Sequence, residues 1–179
     1  LGKSKIGSIW NAPGTCAPTL AKWNEIIPAI QKKSMETIGI PCVYFLDQNH
    51  GTTYTQGGTL FPQNINVAAT FNSQIAYDAA KTTAYETRAG DCPWVCSPTL
   101  DLVRDQRWLR LWANSGEDPS VNSVTGAAAV TSIQGEYATH LGNNRVGPSR
   151  SPDRVPVLLS PARPTLIFIL LTSYSDIRI

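Results

Sequence analysis

The sequence predicts an α/β fold in which a parallel sheet is covered by helices. Short apolar runs recur along the chain, and each is followed by a segment whose apolar residues have helical spacing. Continuous apolar strands are typical of parallel sheets, and their alternation with amphipathic helices indicates βα units. The 179 residues are enough for one domain with a sizeable core.

The first βα unit combines a short strand, residues 6–11, with a helix over residues 18–38. The helix is predicted because apolar residues recur on one of its faces. These residues are Leu20, Trp23, Ile26, Ile27, Ile30 and Met35, with Lys22, Glu25 and Lys32 outside. Gly39 is expected to end the helix, since glycine tolerates the positive φ that a helix terminus requires.

The second unit begins with an apolar strand over residues 41–46 and continues through a long polar loop. A helix is then predicted up to about Arg88, with Asn72 or Ser73 as its N-cap. Its inner side is formed by Ile75, Ala76, Ala79, Ala80 and Ala84. Gly90 is expected to stop it.

The third unit has a strand that starts at Trp94 and ends near Asp101. A loop rich in arginine and tryptophan follows. Pro119 suits the first turn of a helix that is predicted to run to about Gln134.

The composition argues against two classes of partner. Charged residues make up 16% of the chain and the net charge is +2, which gives no basis for binding nucleic acid or an acidic membrane. No apolar run approaches the ~20 residues of a membrane span. The chain begins at Leu1 without a charged and then apolar leader, and we expect a processed protein or a fragment.

The four cysteines do not follow a metal-binding or redox pattern. They are Cys16, Cys42, Cys92 and Cys96. The pair Cys92 and Cys96 has one residue too many between its members for a CxxC site. We therefore expect ordinary thiols and no metal ligands.

Asp47 and His50 follow the second predicted strand directly. Ligands of helix-covered parallel sheets bind at the carboxyl ends of the strands, so both residues are candidates for lining a polar pocket. The alternative is that Asp47 only caps the next turn and that His50 has a structural role. The position alone leaves both interpretations open.

The loop after the third strand contains three arginines and two tryptophans within nine residues, 104–112. Aromatic faces and guanidinium groups on the ligand side of such a sheet suit a sugar, because arginine can donate to neighbouring hydroxyls in a fixed geometry. The alternative is that Arg104 and Asp105 pair with each other or with the scaffold, and that Trp108 belongs to the core.

Three stretches carry a resemblance to a known family: "GIPCVYFLDQNHGTTYTQGGTLFPQNINVAATFN", "AYETRAGDCPWVCSPTLDLVRDQRW" and "GEDPSVN". Over about residues 5–142 the chain resembles the amino-terminal barrel domain of glycoside hydrolase family 3, as found in bacterial β-glucosidases. The resemblance implies a partial (β/α)8 TIM-like barrel of about three βα units over residues 1–145. It also implies retaining hydrolysis of terminal β-D-glucosides, without a cofactor, by a periplasmic, secreted or cytoplasmic enzyme.

The same resemblance assigns roles to particular residues. Asp47 and Arg110 are expected to bind the hydroxyls of a glucose or β-glucoside. His50, Arg104 and Asp105 are expected to position these two residues without contacting the sugar. The resemblance implies that the nucleophile and the acid/base come from the remainder of the barrel and a second domain, which this chain lacks. Asp153 and Asp176 lack the surrounding motif, so no catalytic residue is assigned.

The loop that presents Arg110 departs from the family pattern. Val103 and Leu109 stand where the family usually has glycine, and Gln106 stands where it has proline. Bulky residues in place of loop glycines are expected to distort the pocket. Two other functions remain open: a non-catalytic sugar-binding remnant, and a basic-tail module that binds anionic polymers through its terminal arginines.

We predict that the tail, residues 146–179, is read out of frame or from a damaged gene. The similarity to the family disappears soon after Gly135, and from Arg145 onward all five basic residues are arginine, accompanied by five prolines. Helical and strand periodicity is lost as well. Sequencing the coding DNA near the Arg145 codon should reveal a shifted frame that encodes a strand followed by Lys-His. Absence of such a strand from all three frames would refute this.

Overall fold

The computed structural model describes residues 5–135 and 144–148, which form consecutive βα units along one parallel sheet. The strands are β1 (Ser8–Trp10), β2 (Val43–Leu46), β3 (Trp94–Val95) and β4 (Gly147–Pro148). The helices are α1 (Leu20–Thr37), α2 (Asn64–Ala68), α3 (Ser73–Ala89) and α4 (Pro119–Gln134), with a 3₁₀ turn at Leu111–Ala113. The predicted α/β fold with about three βα units is confirmed.

The sheet has the strand order β1-β2-β3-β4, and every neighbouring pair is parallel. In the register, Trp10 lies opposite Phe45, and Phe45 lies opposite Trp94. The carboxyl ends of the strands therefore meet at one edge of the sheet, and the loops that follow them share that edge.

Helix α1 is capped by the Thr19 side chain, which accepts a hydrogen bond from the backbone N–H of Lys22. It ends before Gly39, whose φ of +81° is the conformation that the sequence predicted for a glycine at this place. Its buried face contains Trp23 and Ile27. Leu20 and Met35 were predicted on that face but are exposed, because they lie at its margins, beyond the reach of the sheet.

Of the two predicted caps of helix α3, Asn72 is the one used, since its side chain accepts a hydrogen bond from the Gln74 N–H at 3.0 Å. It ends at Gly90, again as predicted. Ala76 and Ala84 are buried, whereas Ile75 was predicted on the inner side and is exposed. Helix α4 has the predicted bounds, and Asp118 caps it by accepting from the N–H of Ser120 at 2.6 Å.

Two connections contain structure that the sequence did not predict. The polar loop after β2 includes the short helix α2, and the loop after β3 includes the 3₁₀ turn. Strand β3 is also shorter than predicted. The chain after Val95 leaves the ladder, and a cis peptide bond joins Ser97 to Pro98.

The core lies between the sheet and its helices in two clusters of buried side chains. One cluster consists of Trp23, Ile27, Tyr44, Leu46 and Cys92, and the other of Ala84, Val95, Ile133 and Val146. Cys16, Cys42 and Cys92 are free thiols, and of these Cys42 and Cys92 are buried. Val146 and the β4 residues fall in the predicted irregular tail, yet they join the core and the sheet; residues 149–179 of that tail lie outside the described residues.

The opposite face of the sheet is more open. Residues alternate across a strand, so Val43 and Phe45 face away from the cluster that contains Tyr44 and Leu46. Val43 is 38% exposed, and Trp10 stacks on Phe45 with its ring centroid 6.0 Å away. The described residues therefore cover one face of the sheet and leave the second face open. In a closed barrel this second face is the interior.

We expect Ile27→Ala to lower the free energy of unfolding by about 2–5 kcal/mol, because the side chain is 2% exposed and its removal leaves a cavity. The matched change Ile40→Ala, at a position that is 57% exposed, should cost less than about 1 kcal/mol. Urea unfolding followed by circular dichroism measures both. Equal losses in the two variants would contradict this assignment of the core.

Candidate functional site

Asp47 lies at the carboxyl end of β2, directly after Leu46. Its side chain is half-buried. Burial raises the pKa of the Asp47 carboxyl above its ordinary value, and the nearby guanidinium of Arg110 limits that rise. The structure therefore brings together the two residues that the sequence predicted as sugar ligands, although they are far apart in the chain.

Tyr54 faces the same region from the loop after β2. Burial raises the pKa of its hydroxyl, and the neighbouring Asp47 and Cys96 add to the rise. The backbone carbonyl of Tyr54 accepts a hydrogen bond from the indole Nε1 of Trp23 at 2.9 Å. The buried Trp23 of helix α1 thus anchors this loop to the core through one hydrogen bond.

Gln48 fixes the backbone that follows Asp47. Its side chain is 1% exposed, and its Oε1 accepts hydrogen bonds from Thr53 Oγ1 at 3.1 Å and from the Tyr54 N–H at 3.2 Å. Its backbone carbonyl accepts from Ser97 Oγ at 2.7 Å. Gln48 therefore connects two parts of the loop after β2 and also connects this loop to the segment after β3.

The two arms of this loop approach each other closely. The Thr52 N–H donates to the Thr59 carbonyl at 2.8 Å, and the Phe61 N–H donates to the His50 carbonyl at 2.8 Å. Gly51 has a φ of +110°, and a Cβ at this position would lie 2.2 Å from the Thr59 carbonyl oxygen. Only glycine fits here.

His50 lies beside these arms and is half-buried. Its Nδ1 is 3.0 Å from the Phe61 carbonyl oxygen, so the ring reinforces the pairing of the two arms. This contact is compatible with the supporting position expected for His50. Its role toward a sugar stays a prediction.

Glu86, on helix α3, holds the second arm of the loop. Its carboxylate accepts hydrogen bonds from the Thr59 N–H at 2.8 Å and from Thr59 Oγ1 at 2.6 Å. Burial by itself would raise the pKa of Glu86, but the hydrogen bonds from Thr59 outweigh burial and lower the pKa below its ordinary value. The loop is therefore anchored through an ionised carboxylate.

A buried amide side chain shapes the loop that carries Arg110. Asn114 Oδ1 accepts from the Asp101 N–H at 3.2 Å, and Asn114 Nδ2 donates to the Arg110 carbonyl at 3.0 Å. The guanidinium of Arg110 remains exposed. Asn114 thus closes the loop at its base and leaves the arginine side chain available.

The two loops also share an anchor at Ala113. Its backbone carbonyl accepts hydrogen bonds from Asn64 Nδ2 at 2.7 Å and from Thr99 Oγ1. Asn64 belongs to the loop after β2, whereas Ala113 belongs to the loop after β3. This hydrogen bond joins the two loops, which already share one edge of the parallel sheet.

In the loop after β3, Arg104 does not form the ion pair with Asp105 that one interpretation of the sequence allowed. Asp105 pairs instead with Arg107, Nη2 to Oδ2 at 2.6 Å, and the hydrogen bonds from Arg107 lower the pKa of Asp105. Arg104 is exposed. The expected supporting roles of Arg104 and Asp105 therefore stay predictions.

The tryptophans of this loop do not belong to the core, which was the other interpretation of the sequence. Trp108 and Trp112 are 37% and 47% exposed, so neither is a core residue. Val103 and Leu109 are not among the described residues with positive φ. The backbone at these two positions therefore does not adopt the left-handed conformation that favours glycine.

Sequence reasoning missed several residues on which the site depends. Gln48, Tyr54, Asn64 and Asn114 were not singled out. The available signal was weak, because each is a polar or aromatic residue inside a loop. The partners of Tyr54 and Asn64 are also distant in sequence. Over residues 5–135 and 144–148, no helix has the length and apolar character to cross a membrane, and no group of at least three potential metal-ligating side chains occurs.

Comparison with known proteins adds independent information. A family model for the N-terminal domain of glycosyl hydrolase family 3 matches residues 1–147. The lysosomal beta glucosidase of Dictyostelium discoideum is 39% identical over 160 residues, which are 84% of this chain and 19% of that protein. The sequence resembled bacterial β-glucosidases, but this relative comes from Dictyostelium discoideum, so a bacterial source is not confirmed.

Solved structures show the same similarity. A β-glucosidase from Erythrobacter marinus is 30% identical with a TM-score of 0.75, over 82% of this chain and 19% of that one. A β-glucosidase from Listeria innocua in complex with glucose is 29% identical with a TM-score of 0.68, over 81% of this chain and 19% of that one. This chain spans about a fifth of the length of the relatives that it matches.

The anchoring carboxylate predicts a pH dependence. A lowered pKa in the folded state means that Glu86 contributes stability above its unfolded value of 4.5, and that this contribution is lost as the pH falls through the folded value. Between about pH 6 and pH 3 the unmodified chain should therefore lose more stability than Thr59→Val, which lacks the hydroxyl donor. Urea unfolding at several pH values measures the difference. Parallel pH profiles for the two proteins would show that this anchor contributes nothing.

Proposed function

Because the chain belongs to glycosyl hydrolase family 3, we propose that it supplies the glucose-holding side of a β-glucosidase pocket, with Asp47 and Arg110 as the sugar ligands. The observation that carries the proposal is the position of Asp47 at the carboxyl end of β2, where the guanidinium of Arg110 is near enough to lower the pKa of the carboxyl. The relative from Listeria innocua that was solved with glucose supports the choice of sugar.

The chemistry of the two groups suits vicinal hydroxyls. An ionised carboxylate accepts hydrogen bonds from two hydroxyls at once, and a guanidinium donates to the oxygens of the same sugar edge. Hydrogen bonds to charged groups are about twice as strong as neutral ones, and partial burial strengthens them further. Asp47 is half-buried and Arg110 is exposed, so the carboxylate is the stronger determinant of affinity.

Arg110 also keeps Asp47 suited to this task. Burial alone would favour the protonated acid, which accepts fewer hydrogen bonds, and the nearby guanidinium favours the carboxylate. A sugar that binds between them completes the hydrogen bonding of both groups. We assign Asp47 to binding and not to nucleophilic attack, since its proposed partners are the outer hydroxyls.

The reaction itself requires groups from elsewhere. Retaining glycosidases use two carboxyl groups about 5 Å apart, one as nucleophile and one as acid/base. In this proposal both come from outside the region with family resemblance, residues 1–145, and the whole enzyme hydrolyses terminal β-glucosides with retention. The chain covers 19% of the length of the relative from Dictyostelium discoideum, which leaves most of such an enzyme unrepresented.

We expect the chain alone not to hydrolyse an aryl β-glucoside, because a covalent glycosyl intermediate requires the missing nucleophile. Release of nitrophenol from 4-nitrophenyl β-D-glucoside, followed in a spectrophotometer, is the measurement. Turnover that a single Asp→Asn change in this chain abolishes would contradict the division of roles.

Glucose titration of the isolated chain tests the binding residues. Asp47→Ala should weaken binding by roughly 10- to 100-fold, the equivalent of a lost hydrogen bond to a charged group. Asp78→Ala is the matched control, because this aspartate is exposed on helix α3 and has no assigned role at the site, and His50→Ala should have a smaller effect than Asp47→Ala. If all three variants and the unmodified chain bind equally, Asp47 is not a sugar ligand. If the unmodified chain does not bind glucose, this half-pocket is insufficient by itself and the proposal for the isolated chain fails.

A further inference from the structure

A cavity lies next to the candidate sugar site, between the loop after β2 and the helices. Its water-accessible volume is about 60 Å³. Segment 48–51, helices α2, α3 and α4, and parts of the loops after β2 and β3 line it, and it is partly open. Neither Asp47 nor Arg110 lines it, so it is distinct from the region where those two side chains meet.

The walls of this cavity are mostly small and apolar. Ala79 and Ala80 from α3 and Ala129 from α4 line one side, and their short side chains leave the space between the helices unfilled. The other side is polar and is formed by Gln48, Asn49, His50, Asn64, Ser97 and Thr99. A cavity with one polar wall differs from the purely apolar voids that remain dry in proteins.

The polar wall contains two atoms without a protein partner. Gln48 is 1% exposed, and its Nε2 makes no hydrogen bond, although Gln48 lines the cavity. The orientation of this amide is fixed, because its Oε1 accepts from the Tyr54 N–H, which can only donate. Asn49 Oδ1 is likewise buried without a partner.

We propose that this cavity is a hydration site, in which ordered water molecules accept a hydrogen bond from Gln48 Nε2 and donate one to Asn49 Oδ1. A bound water needs roughly 10–15 Å³ and two to four polar partners, so the volume of about 60 Å³ has room for roughly four to six molecules. Ser97 and Thr99 carry hydroxyl oxygens on the same wall and supply further partners.

The proposed water cluster would connect the loop after β2 to the packing of α3 against α4. Gln48 already ties this loop to Thr53 and Ser97 through its Oε1 and its backbone carbonyl. The water on its Nε2 completes the hydrogen bonding of the same side chain. This proposal does not depend on sugar binding, since it rests on buried polar atoms alone.

Two matched variants on one helix test it. Ala129 lines the cavity, whereas Ala127 is exposed on the same helix and does not. In the ¹⁵N-labelled full chain, water-selective nuclear Overhauser spectra should show contacts between long-lived water and the Gln48 side-chain amide protons. Ala129→Leu should remove these contacts, and Ala127→Leu should leave them unchanged.

Xenon provides a second measurement that needs no variant. A hydrated cavity should show no chemical-shift change at Ala79, Ala80 or Ala129 methyl groups under xenon pressure, because a polar, filled site has no affinity for the gas. Absence of water contacts at Gln48 would overturn the proposal, as would xenon binding. Unchanged contacts in Ala129→Leu would also overturn it, by placing the water outside this cavity.

Discussion

The parallel pairing of β2 with its two neighbours is the constraint on which the rest of the structure depends. Because β1, β2 and β3 run in the same direction, their carboxyl ends meet at one edge, and the loops that follow must share the space above it. Burial of Tyr44 and Leu46 against α1 fixes which face of β2 meets the helices. That choice places Asp47 at the edge, where Arg110 can approach it.

Amide side chains that are buried or partly buried turn this shared space into a defined site. Gln48, Asn64 and Asn114 each bond to backbone groups of a loop that would otherwise have few regular hydrogen bonds. Backbone groups that leave the ladder must find other partners, and these amides supply them. The irregular segments are therefore held by polar contacts, whereas the sheet and helices are held by apolar burial.

Electrostatics and solvation then divide the region into two compartments. On the outer side, a partly buried carboxylate faces a guanidinium, an arrangement suited to a neutral ligand rich in hydroxyls. On the inner side, Gln48, whose buried Nε2 has no protein partner, lines a small cavity beside the helices. Gln48 touches both compartments, since it follows Asp47 in the chain and lines the cavity. Glu86 secures the far arm of the same loop from α3.

The sequence by itself determined the order of βα units, the start of α3 near Asn72, the start of α4 at Pro119, and the ends at Gly39 and Gly90, because periodicity and capping act over a few neighbouring residues. It also indicated Asp47 and Arg110, through the resemblance of the surrounding motifs to glycosidases. Only the tertiary structure decided that Asp105 pairs with Arg107, that Trp108 is exposed, and that Gln48 and Asn114 hold the loops. Most of these features depend on contacts between segments that are distant in the chain. Local pattern carries no information about which loop will meet which, whereas the packing of strands and helices settles it.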